Sequence, residues 1–322
     1  MAAILRWQPF AGPRAARALH RLVGADRPAY AEAKACLAAG RGDGAAMCTH
    51  RAGDRVSDPT GERPADCGCG LATAPTAASA ATDAFPESPA ARRIALGRAL
   101  LASNDSLAAS NRAAFITAGL PVVNLLSSPG SGKTALLESL GRRDAGAGRL
   151  AVIVGDLATD NDARRLRAAG LAAVQITTGQ ACHLEAAMVA GGVRRLLEHG
   201  LRLEALDLLV IENVGNLVCP AAYDLGETLR VVLLAVTEGE DKPLKYPAIF
   251  HGADLVVISK IDLAEVVGFD RPLAHANIAR VAPRARILEL SARSGAGIAA
   301  FAEALRAAAS RPLAGPAPGL AR

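Results

Sequence analysis

Apolar residues fall into two regimes along the chain. Gly, Pro, Ala, Thr and Asp fill residues 41–90, and regular apolar runs begin only near Ile94. The first regime lacks the side chains a packed core needs, so residues 1–90 are expected to be a flexible, low-complexity arm. Over residues 92–118 the spacing of Ile94, Leu96, Leu100, Leu101, Leu107 and Phe115 suits one or two helices, with Ser103, Asn104 and Asp105 as a break or cap. Short apolar runs at 122–126, 150–154, 172–176, 206–211, 231–236, 255–259 and 287–290 read as strands. Helical patterns separate most of them, including 162–169, 183–199 and 298–309. This alternation predicts an α/β domain over residues 91–312, a mostly parallel sheet flanked by helices on both faces, with a flexible tail at 313–322. No internal repeat is evident.

One loop carries the clearest chemistry. Ser127-Ser128-Pro129-Gly130-Ser131-Gly132-Lys133-Thr134 follows the run ending at Leu126 and leads into Ala135-Leu136-Leu137-Glu138. That order of strand, glycine loop and helix is a phosphate-binding loop. Gly130, Ser131 and Gly132 let successive backbone N–H groups turn toward phosphates, and the helix start adds its dipole. Lys133 reaches the outer phosphates, and the Thr134 hydroxyl is placed to hold Mg²⁺. The usual pattern opens with Gly, where this chain has Ser127. A plain glycine turn would explain the glycines but not Gly132-Lys133-Thr134 at the helix entrance.

Ligands in such sheets sit at the C-terminal ends of the strands. Asp156 follows one predicted strand and opens the acidic stretch 156–162, and Glu212 follows another and precedes Asn213-Val214-Gly215-Asn216. A hard cation beside phosphates needs oxygen ligands, so both carboxylates are read as Mg²⁺ residues and, with Lys133 and Thr134, as the catalytic set. The competing reading of a carboxylate after a strand is a helix cap. Ser259-Lys260-Ile261-Asp262 comes straight after the run 255–258 and resembles the Asn-Lys-x-Asp motif of GTPases. Asp262 would accept both N–H groups of a guanine edge while the Lys260 stem covers the ring. Ser259 in place of Asn offers fewer hydrogen bonds and is expected to loosen the loop or weaken guanine preference. Ser291-Ala292 resembles the second guanine loop. Together these favour GTP over ATP.

Composition narrows the class. The 322 residues allow one core-building domain plus extra segments, and 51% are apolar, much of that alanine, with 3% aromatic. No uncharged apolar run reaches the ~18 residues of a membrane span. Residues 1–46 hold seven Lys/Arg against three Asp/Glu, so only about +1 of the net charge of +5 remains for the rest. That argues against a nucleic-acid face on the folded part. Residues 1–46 also lack the apolar stretch and cleavage site of a secretory signal, so a cytoplasmic protein is expected. Its six cysteines then read as thiols or metal ligands rather than a disulfide frame. Cys182 and His183 are placed at the start of a predicted helix and Cys219 just beyond the Glu212 segment. Sulfur and nitrogen donors suit Ni²⁺ or Zn²⁺, and three from one chain leave a site that a symmetric dimer could complete. Small buried thiols and a capping histidine are the equal alternative on this chemistry alone.

Five ordered motifs make a resemblance specific: the stretch from Asn124 to Thr134, Thr159-Asp160-Asn161-Asp162, Thr178-Gly179-Gln180-Ala181-Cys182-His183-Leu184, the stretch from Ile211 to Ala221, and the stretch from Thr237 to Pro247. Over about residues 92–309 the chain resembles the HypB family, the nickel-insertion GTPases of [NiFe]-hydrogenase maturation. The resemblance implies a P-loop GTPase fold of the SIMIBI-like kind. It further implies GTP hydrolysis, nucleotide-dependent homodimers, and Ni²⁺ transfer toward the hydrogenase large-subunit precursor with a small zinc-containing partner of the HypA type. It makes Cys182, His183 and Cys219 the metal site of the GTPase domain. Some family members also carry Met-Cys-Thr-Thr-Cys-Gly-Cys at the amino terminus. Here Met47-Cys48-Thr49 is separated from Cys67-Gly68-Cys69 by residues 50–66, so Cys48, Cys67 and Cys69 form either a weakened nickel site closed by a long loop or a plain tether. The family pattern would start at Met47, which makes residues 1–46 an extension. The mechanism expected is a switch in which GTP and Mg²⁺ order segments 156–162 and 212–216, with slow turnover because no arginine finger is assignable and Gln180 is the one glutamine near the motif. A urease-type nickel GTPase, expected to carry Cys-Pro-His, a P-loop ATPase and a metal carrier without turnover are the alternatives.

Overall fold

A computed structural model describes residues 89–143 and 149–309. The predicted arm with Cys48, Cys67 and Cys69, and the predicted tail, lie outside the described residues. The chain divides into two compact units, and of the smaller, 27–97, only the opening of one helix from Pro89 is described.

Helix α1 (Pro89–Ala118) leads into β1 (Val122–Ser127) and α2 (Lys133–Arg143). Then follow β2 (Leu150–Asp156), α3 (Asn161–Ala168), β3 (Ala172–Thr177), α4 (Ala186–Glu198) and β4 (Leu208–Glu212). The second half holds β5 (Leu229–Ala235), α5 (Lys242–Lys245), α6 (Pro247–His251), β6 (Leu255–Ser259), α7 (Arg271–Val281), β7 (Arg286–Glu289) and α8 (Ile298–Ala309). All seven strands pair in parallel in the order β3-β2-β4-β1-β5-β6-β7. Among the described residues no helix is long and apolar enough to cross a membrane.

The two-residue period of the strands sorts the core into layers. Val123, Leu125, Val152, Val154, Val210, Val231 and Val257 face one way and meet Leu136, Leu137, Leu166, Phe301 and Leu305 of α2, α3 and α8. Their neighbours Val122, Ile153, Val174, Leu209 and Ile211 face the other way, against Phe115 of α1 and Val189, Val193 and Leu196 of α4. Val232, Leu234, Val256 and Ile258 continue that face against Phe250 and Ile278 of α6 and α7. Strand β1 is buried throughout. From its C-terminal end the chain leaves toward β2 on one side, and from β4 it returns past β1 to β5 on the other. That reversal opens a crevice over the ends of β1 and β4, where doubly wound sheets hold ligands.

Three expectations change. Residues 103–105 are neither break nor cap, because α1 is one helix and Asn104 lies inside its buried stripe with Ala108, Asn111, Phe115 and Ala118. Cys182 and His183 do not begin a helix; they lie in the loop before α4, which starts at Ala186. The strand placed at 206–211 starts at Leu208, since Asp207 turns its N–H to Arg149 O at 2.8 Å. Phe115 is fully buried, so Phe115→Ala should cost roughly 3–5 kcal/mol of unfolding free energy. Chemical denaturation measures this, and a loss near zero would mean that α1 is not part of the core.

Candidate functional site

The loop after β1 is shaped for an anion. Gly130 and Gly132 adopt φ of +74° and +97°, which residues with a Cβ rarely take. Lys133 is buried and donates from Nζ to Ser127 Oγ at 2.8 Å. Burial pushes its pKa down, against the opposing pull of Glu212, Asp162 and Glu238. Thr134 Oγ1 donates to Glu212 Oε1 at 2.6 Å, while Glu212 Oε2 is buried with no hydrogen-bond partner among the described residues. Burial raises the Glu212 carboxyl to about 7, and the Thr134 bond and the Lys133 charge hold it from going higher. A carboxylate oxygen left bare beside a hydroxyl, under a glycine loop, fits an oxygen-seeking cation such as Mg²⁺.

Of the two carboxylates singled out in the sequence, the structure brings only Glu212 to Thr134. Asp156 accepts Ala158 N at 3.0 Å and so secures its own turn. The acidic residue of that stretch whose charge reaches both Lys133 and Glu212 is Asp162, which is ion-paired with Arg165 at 3.1 Å. Glu238 was not singled out, yet its carboxylate accepts from Ser128 Oγ at 2.5 Å, Ser131 Oγ at 2.6 Å and Ala235 N at 3.1 Å. It lies just past β5, so the strand-end rule that found Asp156 and Glu212 would have found it too.

The two base-loop candidates lie side by side. Ile261 N donates to Leu290 O at 3.1 Å, which holds the turn of Ile261–Leu263, carrying exposed Asp262, against the loop of Ser291 and Ala292. Ser291 uses its own N–H within that loop, donating to Ala296 O at 2.9 Å. Lys260 takes φ of +58°, and its Cε stands 4.0 Å from where a Cβ on Gly132 would be. Ser259 does not loosen this region. Its buried hydroxyl donates to Ser131 O at 2.7 Å and ties the base loop to the phosphate loop.

Cys182, His183 and Cys219 converge, with their ligand atoms all within 4.8 Å of one another. Cys182 Sγ lies 3.8 Å from His183 Nδ1, and both cysteines are free thiols. The His183 ring stacks on Tyr223 at 3.8 Å, and its Nε2 stands 3.8 Å from Glu185 Oε1. Two thiols and an imidazole at this spacing match tetrahedral Zn²⁺ or a thiolate-rich Ni²⁺ site. Hydrogen bonding to Cys182, then burial, raises the Cys219 thiol.

One segment joins the two centres. Glu212 ends β4, and Gly215 lies so close to the phosphate loop that a Cβ there would sit 2.8 Å from Pro129 Cα. Asn213 Oδ1 accepts Leu184 N at 3.1 Å, next to His183. Asn216 Nδ2 donates to Cys182 O at 3.4 Å, and Cys219 follows three residues later. Glu212 and Cys219, a candidate cation ligand and a candidate metal thiol, are therefore opposite ends of one short loop.

A carboxyl whose folded pKa exceeds its unfolded value binds its proton more tightly in the fold. It adds stability at low pH, and that stability is lost as pH rises from near 4.5 through about 7. Glu212→Gln keeps the bond to Thr134 without the charge. In metal- and nucleotide-free protein the variant should exceed wild type by on the order of 3 kcal/mol at pH 8, with the gap closing near pH 4. Denaturant melts across pH test this, and a pH-independent gap would contradict it.

Residues 121–289 match the family model described as the CobW/HypB/UreG nucleotide-binding domain. The hydrogenase maturation factor HypB of Azotobacter vinelandii is 53% identical over 213 residues, spanning 64% of this chain and 67% of that protein. The hydrogenase/urease maturation factor HypB of Helicobacter pylori (strain ATCC 700392 / 26695) is 47% identical over 194 residues, spanning 60% and 79%. A crystal structure of HypB from Helicobacter pylori in complex with nickel superposes with a TM-score of 0.61 at 45% identity, covering 64% of this chain and 95% of that one. With a phosphate loop, two adjoining candidate base loops and a Cys-His-Cys cluster on a seven-stranded parallel sheet, and with these relatives, the chain belongs to the HypB family of the CobW/HypB/UreG group.

Proposed function

We propose that this chain is a GTP-hydrolysing switch of the cytoplasm that carries Ni²⁺ and releases it for assembly of a [NiFe]-hydrogenase centre. The observation that carries the reading is the loop from Glu212 to Cys219, which lies on the phosphate loop at Gly215 and is hydrogen-bonded to Cys182. The names of its relatives, hydrogenase maturation factors and a nickel complex, support the cargo.

In this reading the N–H groups of Gly130 to Lys133 wrap the phosphates, and Lys133 exchanges Ser127 for the outer phosphate oxygens. Thr134 and Glu212 would hold Mg²⁺, with Glu212 in its charged form. When bound, that ion would supply neutralisation of the phosphate charge. Asp262 accepts the two N–H donors of guanine, the Lys260 stem covers the ring, and the loop of Ser291 and Ala292 closes on the base oxygen. The segment from Asp156 to Asp162 orders on the terminal phosphate, with Asp162 entering beside Lys133. Cys182, His183 and Cys219 hold Ni²⁺ or Zn²⁺, and a second copy across a two-fold axis completes the coordination. Leu157 and Val218, at 46% and 64% exposure, flank these segments and give that copy apolar surface. A small HypA-type protein and the hydrogenase large-subunit precursor are the partners in transfer.

The test is GTP and ATP turnover by wild type, Lys133→Ala and Asp262→Ala, with mass and Ni²⁺ content read on the same samples with a non-hydrolysable GTP analogue. Lys133→Ala should lower GTP turnover on the order of 10²-fold. Asp262→Ala should cut the preference for GTP over ATP about tenfold or more, as loss of a bidentate base contact does. Wild type should form dimers carrying Ni²⁺ with the analogue. Turnover indifferent to Lys133, or an ATP preference in wild type, would overturn the reading.

A further inference from the structure

The loops bearing the candidate metal ligands leave the sheet from β3 and β4, two strands that are not neighbours because β2 lies between them. Their roots alone do not set the distance between Cys182-His183 and Cys219. Helix α1 supplies a second frame. Asn104 Oδ1 accepts Ala186 N at 2.9 Å, three residues beyond His183, and Asn104 Nδ2 donates to Asp224 O at 2.8 Å, five residues beyond Cys219. One turn pair further along, Asn111 Nδ2 donates to Ala186 O at 2.9 Å and to Leu225 O at 3.2 Å. Each asparagine thus holds both loops at once. Both side chains belong to residues only 1% exposed, in the stripe that otherwise carries Ala108, Phe115 and Ala118.

Two further contacts fix the same joint. Arg112 Nη2 meets both Asp224 carboxylate oxygens, at 2.7 and 2.8 Å. Gly226 takes φ of +89°, and a Cβ on it would stand 2.8 Å from Ala108 O, so the loop lies directly on the helix backbone. Amides at buried helical positions are costly unless their bonds are made, and these are made to the two loops alone among the described residues. The direction of the bonds matters too. Ala186 both donates to Asn104 and accepts from Asn111, so a shift of its loop breaks both.

We infer that Asn104 and Asn111 of α1 are positioning residues of the Cys182, His183 and Cys219 centre, setting the separation of its two ligand loops. The inference rests on the metal reading proposed above. Outer groups that orient metal ligands typically change affinity by about 10–100-fold when removed.

The test uses the full chain with Cys36, Cys48, Cys67 and Cys69 replaced by serine, so that only the described thiols bind. Zn²⁺ affinity is measured by competition with a chromophoric chelator, and the Co²⁺-loaded spectrum reports thiolate ligation. Asn111→Leu should weaken Zn²⁺ about 10–100-fold and reduce the sulfur-to-cobalt band, while affinity for a GTP analogue changes less than about threefold. Asn104→Ser, a smaller disturbance if Asn111→Leu fails to fold, should give an intermediate loss. A lowered melting temperature with Zn²⁺ affinity and Co²⁺ spectrum unchanged in either variant would reduce these asparagines to ordinary structure and overturn the inference. Cys182→Ala in the same background separates the two claims. If it leaves Zn²⁺ binding intact, the metal reading itself fails and the inference with it.

Discussion

Among the described residues, the candidate site is organised around a carboxylate buried at the end of a central strand. Glu212 sits at the C-terminus of β4, beside fully buried β1, and is 3% exposed. Water cannot hydrate its charge there, so burial raises it to about 7 and the Thr134 hydroxyl satisfies one oxygen only. A fold selected for stability alone would place an apolar residue or an amide in that position. The carboxylate makes physical sense if a cation takes the second oxygen when nucleotide is present.

The same position makes Glu212 a lever. Its strand ends there, and the next seven residues reach Cys219 while touching Pro129 through Gly215, Leu184 through Asn213 and the Cys182 carbonyl through Asn216. Side chains that bridge backbone groups of separate loops transmit small shifts because each bond has a narrow range of length and angle. The phosphate loop is equally tied at its other flank, where Glu238 gathers Ser128 and Ser131 and Ser259 holds the Ser131 carbonyl. The candidate metal ligands, Glu212 and the candidate base loop are thus joined by hydrogen bonds and close packing rather than spread over independent loops.

How much of this was legible in the sequence follows from which interactions are local. The sheet, the glycine loop and the pairing of Glu212 with its strand end depend on short-range pattern, and the parallel α/β architecture emerged from it. The Cys-His-Cys convergence was readable as chemistry but not as geometry, since Cys182 and Cys219 are brought together by loops from strands that β2 separates. The buried asparagines of α1 misled the pattern for the same reason. Asn104 looks like a helix break when its partners, Ala186 and Asp224, lie far along the chain. Helix α7 left little trace because Ala274 and Ile278 are its only buried residues. Ser259, expected to be a weakness beside the usual asparagine, finds in Ser131 a partner that no local motif displays.

The central claim is that nucleotide state and metal affinity are two readings of one linked loop. Its most direct test is the Ni²⁺ affinity of the protein lacking the arm thiols Cys36, Cys48, Cys67 and Cys69, measured against a competing chelator with Mg²⁺ and either GDP or a non-hydrolysable GTP analogue. Linked sites require the two affinities to differ by roughly fivefold or more, with Ni²⁺ shifting nucleotide affinity by the same factor. Equal Ni²⁺ affinities in the two states would contradict the account.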